Sequence, residues 1–556
     1  MSNGTSGGSR RFDYLVIGAG SAGCALAARL SEDGRHTVAL LEAGGSARHP
    51  YIRTPAAVAA AIGHPPFNWG LTTAPQPGLD GRRIPIPRGH VLGGSGSLNG
   101  MVYHRGHPLD YEDWARAGAA GWGYARVLPY FTRSENNEDY PTSAYHGHDG
   151  PINVRFPTRP NRMSTAFIDS VVGLGFPRCE DFVGPRPEGV GLRQATIRQG
   201  QRESTATAFL APASARRNLS VVTGARVLRV LFEGRRAVAV DVLQESQKVK
   251  YEALGEIILC AGAIHSPQLL LCSGIGDRDP LASLDIPMVH HLPAVGRDLQ
   301  DHLASPVRMS TRDTAPYGVS LRTVPRSLWN VLEYVVARRG PLSSNVFESA
   351  AFLRTDPGLD RPDFQFVFQP AKFPRPGIPI PLGHGFGVSP VLLYPQSRGR
   401  ITLSSPSMLD PPLIDPALLA HPEDLARMVR AVKLCRRILS AAPFSRYQAS
   451  EDLPGTRATS EADIERFIRA TAATVHHPVG TCRMGSDPDS VVDVELKVRG
   501  VDGLRVADAS IFPRIIGGNT NAPTVMVAEK AADLVLGRDA PAPAMLDSND
   551  VTRQPF

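Results

Sequence analysis

The segment Gly18-Ala-Gly20-Ser-Ala-Gly23 constrains this chain more than any other. It follows the apolar run Tyr14-Leu-Val-Ile17 and opens the helix-like stretch Cys24-Ala-Leu-Ala-Ala-Arg-Leu30. A second apolar run, Thr37-Val-Ala-Leu-Leu41, ends at Glu42, nineteen residues after Gly23. Strand, glycine turn, helix, strand, acid is the order that seats a dinucleotide. Gly18 permits a tight turn, Gly20 lets the backbone approach a pyrophosphate, and Gly23 lets helix and strand pack closely. The helix start adds free N–H groups and the positive end of its dipole. Glu42 can accept both ribose hydroxyls of an adenosine. The motif alone does not separate NAD from FAD.

At 556 residues the chain exceeds one ordinary core, so two domains are expected. No apolar stretch is long enough to span a bilayer. The polar start, Met1-Ser-Asn-Gly-Thr-Ser-Gly-Gly-Ser-Arg-Arg11, has no apolar core of a signal peptide. A cytoplasmic protein, or one attached peripherally to a membrane surface, is the expectation. The formal charge of +7 is carried by scattered arginines, with only six lysines and no basic run interleaved with aromatics. Nucleic acid is therefore not an expected partner. Six cysteines lie far apart without a CxxC pair, which favours buried free thiols over a disulfide frame or a zinc site.

Short β-type runs at 219–223, 227–232 and 237–242 lead to the buried strand Glu256-Ile-Ile-Leu-Cys-Ala-Gly262. Residues 325–339 and 421–440 read as helices. Between them, Asp363-Phe-Gln-Phe-Val-Phe368 and Gly387-Val-Ser-Pro-Val-Leu-Leu-Tyr394 alternate like strands of a half-exposed sheet, with 399–404 as another. Residues 466–540 return to glycine-rich sequence. A discontinuous nucleotide domain capped by a substrate domain fits this order.

Four further stretches carry a resemblance. They are Pro87-Arg-Gly-His-Val-Leu-Gly-Gly-Ser-Gly-Ser-Leu-Asn-Gly-Met101, the segment 262–276, Val295-Gly-Arg-Asp-Leu-Gln-Asp-His302, and His477-Pro-Val-Gly-Thr-Cys-Arg-Met484 with 504–513 and Gly518-Asn-Thr-Asn-Ala-Pro-Thr524. With the first motif, they closely resemble the glucose-methanol-choline (GMC) family of FAD-dependent oxidoreductases. The resemblance implies an α/β protein with a Rossmann-like FAD-binding domain and a discontinuous α+β substrate domain built on an antiparallel sheet. The FAD-binding domain is expected at 12–160, 203–306 and 466–540, and the substrate domain at 161–202 and 307–465. Flexible tails are expected at 1–11 and 541–556.

The resemblance also implies FAD rather than NAD. Gly18, Gly20, Ser21, Ala22, Gly23, Glu42 and Ala43 would hold its ADP half, with Val227 near the adenine. Arg88, Val91, Gly93, Gly94, Ser95, Asn99, Gly100, Met101 and Val102 would follow the pyrophosphate and isoalloxazine. Asp508, Ala509, Asn519 and Thr520 would complete the site. Relatives that link the flavin covalently carry a histidine where this chain has Leu98, so non-covalent FAD is expected.

Flavin-dependent alcohol oxidation needs a base for the hydroxyl proton while a hydride moves to flavin N5. His477 matches the family's catalytic histidine, and an imidazole titrates near neutrality. Asn519 falls where relatives place a second histidine or an asparagine, and can hold the alcohol oxygen. Asn521 is the local competitor. His476 reads as a pocket wall rather than half of a metal pair, and no metal is expected. Val475 stands near a valine that oxidase relatives link with oxygen access. Glu348 matches an acid that choline-oxidising relatives turn to the ammonium group, though other relatives keep it too. Phe368, with Phe364 and Phe366, lines either an apolar pocket or one buried sheet face. The stretches 101–108, 340–349 and 411–416 resemble bacterial alcohol dehydrogenases of the choline dehydrogenase-like branch. The expected reaction is oxidation of a primary aliphatic or aromatic alcohol to the aldehyde, with electrons passed to a quinone or other acceptor. An oxygen-using oxidase, a choline dehydrogenase, and a flavin-binding protein without alcohol chemistry are the alternatives.

Overall fold

The computed structural model describes residues 10–372 and 382–546. The parts of the expected tails at 1–9 and 547–556 lie outside the described residues. Two sheets organise the chain. In the first, the strands run in the order Leu219–Val222, Val38–Leu41, Arg11–Ile17, Gln247–Leu259, Arg236–Gln244, Ala225–Glu233, and Leu504–Val506 also pairs with Gln247–Leu259. Five of these strands are parallel to one another. The central runs, such as Val38-Ala-Leu-Leu41, are buried on both faces, as parallel strands covered by helices must be.

Strand Gln247–Leu259 begins well before the expected Glu256, because its first half serves a different neighbour. That half pairs antiparallel with Arg236–Gln244, while the remainder runs parallel to Arg11–Ile17. One strand thus joins a meander to a parallel core. The ends of Arg11–Ile17 and Val38–Leu41 carry Gly18 and Glu42 to the same edge, where ligands of open parallel sheets bind.

The second sheet is wholly antiparallel, with the order Ser450–Leu453, Val307–Thr311, His384–Leu392, Phe364–Gln369, Ser349–Leu353, Gly189–Leu192. It is not half-exposed: His384–Leu392 is buried throughout. On one face it packs against helices Arg162–Gly173, Pro422–Leu439 and Glu461–Thr471. Its other face is divided: Ala350 and Phe352 pack with Phe182 and Leu393, while Gln365, Val367, Gln369, Ser389 and Val391 look into a cavity. Gly399–Thr402 belongs elsewhere, to a three-stranded sheet with Arg297–Leu299 and Leu413–Asp415.

Two boundaries look different in three dimensions. Helix Glu461–Thr471 crosses residue 466 and packs Ile464, Phe467 and Ile468 into the core of the second layer. Residues 10–11 and 541–546 are not free tails. Arg11 opens the first strand, the N–H of Ala544 donates to Ala125 O at 2.8 Å, and Leu546 packs on the core. All six cysteines are buried and unpaired.

The alternation in Phe364–Gln369 corrects one expectation. Phe364, Phe366 and Phe368 are fully buried in the helical layer, and Phe368 stacks on Phe167 at 5.0 Å. Gln365, Val367 and Gln369 face the cavity instead. A strand sends successive side chains to opposite faces, so the phenylalanines cannot also be pocket wall. Phe368→Ala should cost about 3–5 kcal/mol of stability. Thermal unfolding would show the loss, and ligand binding in the cavity should stay unchanged in the folded fraction.

Candidate active site

A cavity of about 1680 Å³ runs along the seam between the two sheets. At one end stands Glu42, whose two carboxyl oxygens accept from the N–H groups of Ala19 and Gly44, each at 2.8 Å. Burial pushes its pKa up to about 7 in spite of these bonds. Helices Ser21–Leu30 and Asn521–Leu536 both start on the cavity with no side-chain cap and no acid in the first turn. Their open N–H groups and positive dipole ends call for an anion there.

Glycines make the approach possible. Gly18 sits at φ +98°, and a Cβ on it would lie 2.8 Å from Cys260 O. A Cβ on Gly94 would lie 2.7 Å from the Cα of Gly20. Most of the residues expected to hold a cofactor line this cavity: Gly18, Gly20, Ser21, Ala22, Glu42, Ala43, Arg88, Gly94, Ser95, Asn99, Gly100, Met101, Val102, Val227, Asp508, Ala509, Asn519 and Thr520. Gly23, Val91 and Gly93 stand behind the wall. A Cβ on Gly23 would lie 1.9 Å from Gly18 O, so its task is close packing. Val91 is buried with Ile52, Ala61 and Leu98, and Gly93 donates its N–H to Ala19 O at 2.7 Å.

At the other end, Val475, His476 and His477 all reach the cavity. Their loop leaves strand Ala473–Thr474 of the second sheet, and His476 takes φ 71°, a conformation uncommon outside glycine. Three contacts hold it there. Arg88 donates to His476 O at 2.7 Å, the N–H of His477 donates to Asp301 Oδ1 at 2.8 Å, and Thr474 Oγ1 donates to Asp301 Oδ2. His477 Nε2 stands 3.2 Å from Asn519 Nδ2, and its Nδ1 stands 2.9 Å from His302 Nδ1. Burial, reinforced by His302, His476 and Arg88, lowers the His477 pKa well below its ordinary value, which leaves a neutral imidazole. Asn519 Oδ1 is buried without a partner. Asn521 is turned away, donating to Ser21 Oγ at 2.7 Å.

Glu348 does not face the cavity. Fully buried, it accepts from Asn161 N (2.6 Å), Tyr317 Oη (3.1 Å), Ser344 Oγ (2.5 Å) and Ser164 Oγ (3.4 Å). Val346, at φ 69°, turns the chain so that residues 345–347 form the wall while Glu348 points back to tie the loops together. Local sequence also gave no sign of the roles of Asp301 and His302. An adjacent acid and histidine closing a motif was the available signal, but their target is 173 or more residues away.

The GMC oxidoreductase N-terminal domain matches residues 12–304 and the C-terminal domain residues 395–528. The chain is a GMC oxidoreductase. It is 44% identical over 94% of its length to an alcohol dehydrogenase [acceptor] of Pseudomonas putida, covering 96% of that protein. To the mitochondrial choline dehydrogenase of Mus musculus it is 42% identical, over 98% of this chain and 91% of the other. Pyridoxine 4-oxidase from Mesorbium loti superposes with a TM-score of 0.85 at 34% identity, over 94% and 98% of the two chains. This GMC oxidoreductase uses FAD. The residues present fit that group: glycine backbone without room for Cβ atoms, two uncapped helix starts for the pyrophosphate, and Glu42 for the ribose.

Raising an acid's pKa on folding means the folded state holds the extra proton. Glu42 therefore withdraws stability from the apoprotein as pH rises from 4.5 through about 7. Hydroxyl donors of a bound ribose favour the carboxylate, so FAD affinity should rise over the same window. In Glu42→Gln, apoprotein melting and FAD affinity should both lose that part of their pH dependence, as scanning calorimetry and fluorescence titration would show.

Proposed function

We propose that this GMC oxidoreductase is a dehydrogenase that oxidises neutral, largely apolar primary alcohols to aldehydes and passes the electrons to an external acceptor. The observation that carries the reading is the pair His477 Nε2 and Asn519 Nδ2, 3.2 Å apart in the cavity that the dinucleotide segments line. Bound FAD would supply the acceptor for the hydride leaving the carbinol carbon, and with Leu98 in place of a linking histidine it would be held non-covalently.

The side chains do the rest. His477, kept neutral by burial, takes the hydroxyl proton at Nε2. Asn519 Nδ2 donates to the alcohol oxygen as negative charge develops on it. Ala304, Val367, Val391 and Val475, with Phe347, supply apolar wall next to the pair and exclude water.

Charge supports a neutral substrate over choline. Among the described residues, the carboxylates on the cavity wall are Glu42 and Asp508, both assigned to the nucleotide. The substrate side bears Arg193, Arg326 and Lys372, and Glu348 has turned its oxygens to internal donors. A quaternary ammonium finds no counter-charge on that wall. Relatives described as oxygen-dependent choline dehydrogenases, 40% identical, keep choline as the second reading.

Anaerobic bleaching of the flavin by 1-octanol, benzyl alcohol and choline, followed by air, tests this directly. The alkanol and benzyl alcohol should bleach it, with choline far slower and slow recovery in air. Fast recovery with peroxide would make the protein an oxidase. His477→Ala should slow alcohol-driven reduction by about 10²–10⁴-fold, and Asn519→Ala by about 10²-fold, with FAD retained in both. Reduction at the wild-type rate in His477→Ala would refute the assignment of the base.

A further inference from the structure

The helix Val324–Ala337 is built inside out. Its polar residues Arg326, Ser327 and Asn330 line the cavity, and Tyr334 is its buried residue. Its large apolar side chains face outward: Leu328 is 67% exposed, Trp329 63% and Val336 76%, with Leu332 and Val335 between them. The same surface continues through Leu321, 94% exposed, to Val319 and Leu382, which bridge one another. A helix on a water-facing surface turns its apolar stripe inward. A contiguous exposed patch of this kind marks a contact surface.

Its charge says what it contacts. Segment 321–339 carries Arg322, Arg326, Arg338 and Arg339 against one acid, Glu333, and that acid pairs with Arg159 at 3.0 Å. An apolar face with a tryptophan, flanked by arginines, has the chemistry of a helix lying in the boundary of an anionic bilayer. Arg326 and Val331 are exposed and also line the cavity, so the cavity mouth opens beside this helix. We propose that this helix docks the enzyme on an anionic lipid surface with the mouth of the cavity against the membrane. Under the reading above, the apolar alcohol would then enter from the lipid phase.

The test uses FAD-loaded full-length protein and sucrose-loaded vesicles of phosphatidylcholine, with and without phosphatidylglycerol. Co-sedimentation is expected with the anionic vesicles and should weaken at high salt. Trp329 should report the contact by a blue shift in emission that Trp329→Phe abolishes, since Trp114 and Trp122 are buried and Trp69 lies on the cavity wall. The double variant Leu328→Glu, Leu332→Glu should bind vesicles at least ~10-fold more weakly. It should still oxidise a short soluble alcohol at the wild-type rate, whichever alcohol the bleaching panel identifies. Binding by the variant equal to wild type, or no binding to either vesicle, overturns the proposal. So does a wild-type dimer in sedimentation velocity that the double variant dissociates, which would make a second copy the occupant.

A second inference comes from hydrogen bonds and burial and rests on His477 as the base. His302 Nε2 faces two carbonyl oxygens, Leu393 O at 3.0 Å and Ile516 O at 3.1 Å. Carbonyls only accept, so Nε2 carries a hydrogen. Burial lowers the His302 pKa to about 4 and keeps the ring neutral, which leaves a lone pair on its Nδ1, 2.9 Å from His477 Nδ1. His477 must then carry its hydrogen on Nδ1, and its Nε2 is the bare nitrogen turned to Asn519. We infer that His302 is a positioning residue that fixes the tautomer of His477. The same bond steadies the imidazolium once Nε2 has taken the proton.

His302→Leu removes the acceptor, while His302→Asn puts an amide oxygen near the place of Nδ1. His302→Leu should lower kcat on the order of 10–100-fold with KM little changed, judged against the larger known cost of a wrong tautomer. It should move the acid limb of the pH profile downward, because the charged imidazole loses a hydrogen bond. His302→Asn should recover part of the rate. Equal losses in both variants with an unmoved pH limb would make His302 merely structural, and wild-type kinetics in His302→Leu would remove it from the site. Failure of His477→Ala to slow reduction would instead overturn the base itself, so the two failures are separable.

Discussion

Three backbone segments from distant parts of the chain meet in this protein with no room for a side chain between them. The turn at Gly18 lies against Cys260, Gly23 lies against Gly18, and Gly94 lies over Gly20. Everything else in the nucleotide half depends on these approaches. They bring two glycine-rich segments over the ends of parallel strands and leave the start of Ser21–Leu30 open to the cavity. A methyl group at any of them would push backbone against backbone, in a core that tolerates little displacement. The cofactor crevice is therefore the space that close packing leaves over.

The catalytic half follows from a seam. The loop carrying His476 and His477 leaves the antiparallel sheet at Ala473–Thr474 and enters the nucleotide layer after Val479, which pairs with Gln300. Gln300, Asp301 and His302 grip that loop from the opposite side: one by backbone pairing, one by accepting the His477 N–H, one through the imidazole itself. His477 is thus held by both layers, and its geometry is sensitive to their relative placement. The seam is polar at the Asn519 side and apolar at the Val475 side.

Short-range patterns were legible where one element interacts with its own neighbours in sequence. The strand–turn–helix start, the helices at 325–339 and 421–440, and the alternation of Phe364, Phe366 and Phe368 could all be read from spacing. What spacing could not say is which face of a strand meets a core and which meets a cavity, since both are dry. Phe368 and Glu348 illustrate this: each lies within a residue or two of the cavity wall, and each points the other way.

By itself, the amino-acid sequence determined that a dinucleotide is bound, where its glycines turn, and that His477 and Asn519 stand in motifs able to carry a proton and hold an oxygen. These properties reside in backbone freedom and side-chain chemistry, which are local. The tertiary structure alone decided that His477 and Asn519 face one another, that Asn521 does not, that Glu348 is spent on internal donors, and that His302 stands behind His477. Those facts are distances between residues as many as 500 positions apart, and only packing sets such distances.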